Sequence, residues 1–299
     1  MNRMTAPDDG RDDGDNVQSR RVVIKVGATA FGMSALGVGA LSAAAQGDSA
    51  TPTNPALDAT PTSCVLTPEL TQGPYYLANE LIRADITEGR AGVPLTLRVG
   101  VSDIKACGPL ANAAVHVWHC DAHGFYSGVS ANSPGSDATQ QQIDEAAKST
   151  FLRGIQMTDA DGFVEFTTIY PGWYRGRTVH IHMMVAVDGT ADQTYEGGHI
   201  AHTGQLFFDD AISDKVFATD AYAGRPDDER TLNNEDGILG NHEDDPGFLL
   251  ALTPNNAERI ADGFVGVIAV GVDPTSTPAA AGGPGGGGQP GGPPPSSNG

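Results

Sequence analysis

The sequence predicts an all-β fold in which two antiparallel sheets form a β-sandwich with long functional loops and few short helices. Segments rich in Val, Thr, Ile and Phe recur along the chain, and Gly, Pro, Asn or Asp separates most of them. The strands predicted in this way span residues 95–102, 113–119, 163–169, 179–187, 205–208 and 264–270. Residues 140–149 and 210–218 are predicted as helices, each too short to build a layer.

The two ends of the chain differ in composition from its centre. In residues 1–45, Arg20 and Arg21 precede an apolar run rich in Gly and Ala, which is typical of a twin-arginine export signal cleaved near Gln46. An uncleaved membrane anchor is the alternative, although four glycines make the run a poor permanent span. We expect a linker at residues 46–63, a folded domain at 64–272 and a disordered Gly-, Pro- and Ser-rich tail at 273–299. The expected location is therefore secreted or extracytoplasmic.

Charge and cysteine content restrict the partners and the compartment. The chain has 37 acidic and 17 Lys or Arg residues, a formal net charge of −20, which argues against nucleic-acid or anionic-membrane binding. Three cysteines allow three single disulfides. Cys64 and Cys107 flank the start of the domain and a predicted turn, whereas Cys120 follows a strand near the candidate site. We favour a Cys64–Cys107 disulfide, which an oxidising compartment would permit, and three buried thiols are the alternative.

Residues 170–182 carry the strongest functional signal. They contain Tyr174, Arg177, His180 and His182. On a strand, residues two positions apart project from one face about 7 Å apart, so both imidazoles can bind one metal ion. Tyr126 is a second candidate phenol upstream. Two phenolates with two neutral imidazoles suit a hard trivalent cation, since each phenolate offsets one positive charge, and Fe(III) is the expected ion.

A zinc site is one alternative, because two histidines with this spacing also occur in zinc and copper proteins. A tetrahedral zinc ion would recruit a third ligand, and the neighbouring candidates are His116, His119, Cys120 and His123. Strand alternation puts His116 and His119 on opposite faces. The prediction leaves the imidazoles of His116, His119 and His123 outside the set of metal ligands.

Two further alternatives come from other protein classes. A cupin-like metalloenzyme would use Glu196 and either His199 or His202, but the spacing is poor and leaves Tyr126 and Tyr174 unexplained. A non-catalytic, exported metal- or carbohydrate-binding β-sandwich is the other alternative. The colour of the purified protein separates these classes, because tyrosinate bound to Fe(III) is burgundy.

The sequence resembles the intradiol ring-cleavage dioxygenases, of the protocatechuate 3,4-dioxygenase and catechol 1,2-dioxygenase type. The resemblance runs from about residue 67 to residue 272. It rests on four blocks in a specific order: TQGPYY at residues 71–76, YSG at 126–128, PGWY at 171–174 and RTVHIH at 177–182. The resemblance also implies a β-sandwich.

The resemblance implies a ligand set and a reaction. Tyr126, Tyr174, His180 and His182 would bind non-haem Fe(III), and Arg177 would lie beside the metal against the substrate. A catechol would displace Tyr174, which can take up a proton, while Arg177 stabilises negative charge on the substrate. Both atoms of O2 would enter between the hydroxylated carbons to give a muconate-type diacid. The expected partners are therefore a small catechol and O2.

Overall fold

The computed structural model describes residues 63–78, 81–131, 138–224, 230–242 and 247–279. The predicted export signal, nearly all of the predicted linker and residues 280–299 of the predicted tail lie outside these ranges. At the start of the tail, Asp273 forms an ion pair with Lys105 at 2.9 Å, and the carbonyl of Pro274 accepts a hydrogen bond from His199.

The described part of the chain contains nine strands and two short α-helices. The strands are β1 (Pro94–Asp103), β2 (Gly108–Pro109), β3 (Ala114–Trp118), β4 (Arg153–Met157), β5 (Phe163–Ile169), β6 (His180–Ala191), β7 (Tyr195–Phe207), β8 (Ala251–Pro254) and β9 (Phe264–Val272). The helices are α1 (Gln140–Ala147) and α2 (Asp210–Phe217). Short 3-10 helices span Asp220–Tyr222, Asn233–Glu235, Gly240–His242 and Ile260–Asp262. The described residues include no helix long and apolar enough to cross a membrane.

The helix prediction is confirmed at both places, and local capping explains where the helices begin. The Thr139 side chain accepts from the Gln142 backbone N–H, and the Gln142 side chain accepts from the Thr139 backbone, which forms a capping box before α1. Asp209 caps α2 through the backbone N–H of Ile212. All six predicted strands are present, but the prediction missed β2, β4, β8 and the first ten residues of β7.

The strands form two sheets. One has the order β2-β1-β9-β8, with β5 also paired to β1, and the other has the order β4-β3-β6-β7. The prediction of purely antiparallel sheets is wrong at one place, because β1 and β9 pair in parallel with Leu95 opposite Phe264. Parallel neighbours cannot be joined by a tight turn. Here the rest of the domain lies between them in the chain, so no local signal marks the pairing.

Residues of both sheets contribute to one hydrophobic cluster. Its fully buried members include Leu97 of β1, Val117 of β3 and Ile181 of β6. Because side chains alternate along a strand, His180 and His182 project from the face of β6 opposite to Ile181. The same strand therefore stabilises the core with one face and supplies the candidate ligands with the other.

The Cys64–Cys107 disulfide is present, so the predicted pairing is confirmed. It joins residues 43 positions apart, with their Cα atoms 5.0 Å apart. Cys120 is buried and takes no part in this disulfide. The disulfide links the first described segment of the domain to the turn between β1 and β2.

Candidate metal centre

Two loops and one strand bring the four predicted ligands together. Tyr126 lies in the loop after β3, Tyr174 lies in the loop between β5 and β6, and the two histidines lie at the start of β6. The Nε2 atom of His180 lies 3.2 Å from Nε2 of His182. The same atom lies 3.4 Å from the phenol oxygen of Tyr174 and 3.5 Å from that of Tyr126. Four potential donor atoms, two oxygens and two nitrogens, thus converge on one small volume.

The spacing of these atoms fits a shared metal ion. Two ligand atoms about 2.1 Å from one ion and at right angles to each other are about 3 Å apart. The 3.2 to 3.5 Å separations around His180 are close to this value. They are also long for direct hydrogen bonds. The separations around Nε2 of His180 are thus compatible with donors that share one ion.

Burial determines the protonation of the donors when no cation is bound. It raises the pKa of Tyr126 well above its usual value and raises that of Tyr174, while Arg177 acts in the opposite direction on both. Burial also lowers the pKa of His180 and His182 well below the usual histidine value. Both imidazoles are therefore neutral and able to donate a lone pair. Two buried phenols lose their protons readily only beside a strong positive charge, such as a metal ion.

The backbone carbonyl of Thr178, just before β6, fixes the tautomer of His180. Its Nδ1–H donates to the carbonyl oxygen of Thr178 at 2.7 Å. The lone pair on Nε2 is consequently directed towards the other three donors. A hydrogen bond of this kind is the usual device for orienting a metal-binding histidine.

The ring of His182 is held between an indole and a glycine. Trp118 stacks on it with ring centroids 5.1 Å apart and planes 2° apart. Gly73 approaches from the TQGPYY segment with a φ of +72°, and a Cβ atom there would lie 2.8 Å from Cε1 of His182. Only glycine combines this left-handed backbone with so close an approach.

Arg177 contacts the site through one edge of its guanidinium group. Its Nη1 atom lies 3.4 Å from the Tyr174 oxygen and 3.4 Å from Nε2 of His180. The opposite edge is anchored, because Nε donates to Asp236 at 2.8 Å and Nη2 donates to Gln205 at 2.5 Å. Neighbouring charge raises the pKa of Arg177 although burial alone would lower it. The group is a permanent cation at the rim of the donor cluster.

A cavity of about 380 Å³ opens beside the donors. Tyr75 lines it and also stacks on Tyr126, with ring centroids 4.4 Å apart. The other lining residues are Pro74, Gly128, Val129, Ser130 and Ala131. The walls combine the ring of Tyr75 with aliphatic and polar groups, and none of the four predicted ligands lines the cavity.

Two of the alternative metal ligands have other surroundings. His119 is hydrogen-bonded to the carbonyl of Cys120 and to the Thr168 hydroxyl, and burial lowers its pKa to about 4. His116 packs near the rings of Tyr76 and Tyr195. Within the described ranges, no group of three or more His, Cys, Asp or Glu side chains is arranged to hold a metal ion.

The cupin-like ligand set is not assembled either. Glu196 is exposed on β7. His199 donates to the carbonyl of Pro274, and Nδ1 of His202 lies 2.6 Å from a carboxylate oxygen of Glu69. These contacts give both histidine candidates a structural partner.

Sequence reasoning missed the residues that support the site. Asp236 and Trp118 contact Arg177 and His182 directly, and neither was predicted to do so. Strand pairing offers a signal for Trp118, since it lies opposite His182 in the β3–β6 register. No such signal marks Asp236, which is 59 positions from its partner.

Comparison with known proteins identifies the family. A family model described as dioxygenase matches residues 68–228, which is more than half of the 299-residue chain. Catechol 1,2-dioxygenase 1 from Acinetobacter lwoffii is 27% identical over 151 residues, 43% of this chain and 44% of that protein. The chain therefore spans less than half the length of this curated relative.

Two solved structures agree in fold over most of the domain. An intradiol ring-cleavage dioxygenase from Tetranychus urticae has a TM-score of 0.59 and 28% identity, and the match covers 73% of this chain and 98% of that one. A second dioxygenase crystal structure has a TM-score of 0.57 and 29% identity, covering 72% and 98% respectively. This protein belongs to the intradiol ring-cleavage dioxygenase family, as its sequence motifs predicted.

Proposed function

We propose that this protein is an exported, Fe(III)-dependent dioxygenase that cleaves catechol-type rings between their two hydroxylated carbons. The convergence of two phenol oxygens and two imidazole nitrogens carries the proposal, with three donors within 3.2 to 3.5 Å of Nε2 of His180. Family membership supports the same reaction class. Its expected product is a muconate-type diacid that contains both atoms of O2.

The residues proposed to hold Fe(III) are Tyr126, Tyr174, His180 and His182. When bound, the ion supplies positions for the two catechol oxygens and withdraws electron density, so that the ring becomes reactive towards O2. The protein holds this donor set in a dry environment, because Tyr126 and His182 are fully buried. Exclusion of water strengthens each electrostatic contact with the substrate.

The two tyrosines have different roles in this proposal. Tyr126 is fully buried and packs under Tyr75. Tyr174 is slightly exposed and lies within 3.4 Å of a guanidinium nitrogen of Arg177. We therefore assign Tyr126 as the permanent donor. Tyr174 would be the donor that the substrate displaces, and its phenol oxygen would then hold one of the two catechol protons.

Arg177 is proposed to stabilise the charge that develops on the substrate. Its Nη1 edge faces the oxygen of Tyr174, so a substrate oxygen in that region would meet a fixed cation. The guanidinium cannot release its proton at physiological pH. It therefore acts by charge and position alone.

Export and the sandwich arrangement are part of the same proposal. Arg20 and Arg21 with the following apolar run support a twin-arginine signal, and the Cys64–Cys107 disulfide is consistent with an oxidising compartment. The shared hydrophobic cluster supports packing of the two sheets against each other.

The reaction class is tested by the product. Iron-loaded protein should be burgundy, consume one O2 per catechol ring and form a muconate-type diacid. A yellow semialdehyde would indicate cleavage outside the hydroxylated carbons and would contradict the proposal. So would the absence of O2 uptake with every catechol in a panel of ring substituents.

The ligand assignment is tested by removing single hydroxyl groups. Tyr126→Phe should lower iron content, since it removes a donor and leaves the ring that stacks on Tyr75. The matched control is Tyr222→Phe, because Tyr222 is also buried but donates to the carbonyl of Tyr170 outside the donor cluster. Full iron stoichiometry in Tyr126→Phe would remove Tyr126 from the ligand set.

Tyr174→Phe should give a different result. A donor that leaves during the reaction is not essential for retaining iron, so the variant should keep most of its iron while its colour changes and catechol binding slows. A wild-type spectrum and wild-type kinetics would show that Tyr174 is not a ligand.

A further inference from the structure

We propose that Asp236 is the positioning residue of this centre, and that its one carboxylate orients both Arg177 and His180. The inference rests on the proposed function for its activity measurement. Asp236 lies beyond residues 68–228, the part of the chain that the family model matches. Its side chain is completely buried, and we place it in a supporting role without direct contact with substrate.

The Asp236 carboxylate accepts four hydrogen bonds. One oxygen accepts from Nε of Arg177 at 2.8 Å and from the backbone N–H of Thr178 at 2.8 Å. The other oxygen accepts from the backbone N–H groups of Ile238 and Leu239 at 2.8 and 2.9 Å. The two backbone contacts of the second oxygen fix the carboxylate in its own segment. The first oxygen then presents a fixed acceptor to the loop before β6.

This arrangement determines where Arg177 points. Asp236 holds Nε, Gln205 holds Nη2, and the remaining Nη1 faces Tyr174 and His180. A guanidinium group is planar, so fixing two of its nitrogens fixes the direction of the third. Without Asp236, the amide of Gln205 alone would leave the group free to rotate about a single contact.

The contact with Thr178 acts on the metal ligand. Asp236 accepts from the N–H of Thr178, and the carbonyl of the same residue accepts from Nδ1–H of His180. The Thr178 hydroxyl is held separately by the side-chain oxygen of Asn233 at 2.7 Å. A chain of hydrogen bonds thus runs from Asp236 through one residue to the imidazole. The carboxylate thereby fixes the backbone that sets the tautomer of His180.

Asn is the informative replacement at position 236. Its amide has nearly the same shape as the carboxylate but has one acceptor oxygen, whereas the site offers donors on both sides. An amide NH2 group must therefore face either Arg177 and Thr178 or the backbone N–H groups of Ile238 and Leu239. Either orientation disturbs the fixed acceptor without creating a large cavity.

The experiment is a double-mutant cycle of Asp236→Asn and Arg177→Ala, measured on iron-loaded protein. Asp236→Asn should lower kcat/KM by about 10- to 100-fold, as is usual for partners that orient a metal site. On the Arg177→Ala background the same substitution should lower it by a smaller factor, because one of its two targets is already absent and only the path through Thr178 to His180 remains. The matched control is Asp262→Asn, since Asp262 also pairs with an arginine, Arg259, but lies in the turn before β9.

A second measurement does not depend on turnover. Fe(III) affinity and the energy of the tyrosinate charge-transfer band should change in Asp236→Asn, through His180, and should remain at wild-type values in Asp262→Asn. If wild-type protein cleaves no catechol, the proposed function fails, and this measurement still decides the role of Asp236.

Two results would overturn the inference. One is that Asp236→Asn causes an equal loss of kcat/KM on the wild-type and Arg177→Ala backgrounds, with an unchanged iron spectrum and a lower melting temperature. This combination would indicate that Asp236 has a purely structural role. The other is wild-type activity and a wild-type spectrum in Asp236→Asn. If Asp236→Asn does not fold, Asp236→Glu replaces it, because the added methylene shifts the acceptor and keeps the charge. Wild-type activity and spectrum in that variant would equally refute the role.

Discussion

Arg177→Ala tests the proposed electrostatic role most directly. The substitution removes a cation whose Nη1 atom lies 3.4 Å from the Tyr174 oxygen and 3.4 Å from Nε2 of His180. Arg177 is not a proposed ligand, so iron and colour should be retained in folded protein. Activity should fall because the charge that develops on the substrate loses a fixed positive partner.

The structure sets the size of the effect. A unit charge 3.4 Å from the guanidinium, the present distance to the Tyr174 oxygen, would interact by about 5 kcal/mol at an effective dielectric constant of about 20. This is an upper bound, since only the charge gained between ground state and transition state affects the rate. Removal of one preorganised donor costs about 2–4 kcal/mol elsewhere. The expected loss in kcat/KM is therefore about 30- to 1000-fold.

The assay must separate this loss from unfolding. Without Arg177, the carboxylate of Asp236 stays buried but loses its charged partner, and breaking such a pair costs about 3–5 kcal/mol of stability. O2 uptake should therefore be normalised to iron-bound, folded protein well below the melting temperature. Arg175→Ala is the matched control, because Arg175 is exposed two positions away and its loss changes the net charge equally. A loss below about threefold in Arg177→Ala, or an equal loss in Arg175→Ala, would refute the reasoning.

Two further predictions concern the TQGPYY segment and export. Gly73→Ala should reduce iron affinity by about tenfold, because the added Cβ would displace the ring of His182. Gly89→Ala is the control, because Gly89 has the same φ of +72° and a Cβ there would meet no atom within 4 Å. This control should lower only the stability of the fold, by about 1–2 kcal/mol. Iron titration and thermal melting of the two variants distinguish these outcomes, and equal iron affinities would rule out the contact with His182. Replacing Arg20 and Arg21 by Lys should retain the precursor inside the cell, and normal secretion of this variant would contradict the twin-arginine signal. Mass spectrometry of the wild-type product checks cleavage near Gln46.

Local patterns in the sequence determined the strands and the identity of the candidate donors. The alternation on β6 put His180 and His182 on one face and Ile181 on the other, and this arrangement appears in the structure. Such predictions succeed because the two-residue period of a strand is a property of the backbone alone. The Cys64–Cys107 pairing was favoured from position in the chain, because the two residues flank the start of the domain and a predicted turn, and the structure contains this disulfide.

The strand prediction failed where local composition and tertiary environment disagree. In β4, Arg153 is buried through hydrogen bonds to Ser127 in the loop after β3, so a charged residue occupies a position where the pattern requires an apolar one. The parallel pairing of β1 with β9 also joins the two ends of the domain. Neither feature leaves a periodic signal, because both depend on segments far apart in the chain.

The tertiary structure alone decided how the donors are supported. Gly73 and His182 lie more than a hundred positions apart, yet a single added carbon would bring them into collision. Asp236 and Arg177 are 59 positions apart and are joined by a buried ion pair. The sequence specifies which atoms can bind a metal, because donor chemistry belongs to single residues. The directions of those atoms depend on contacts between loops, and such contacts exist only once the sheets have packed and brought the loops together.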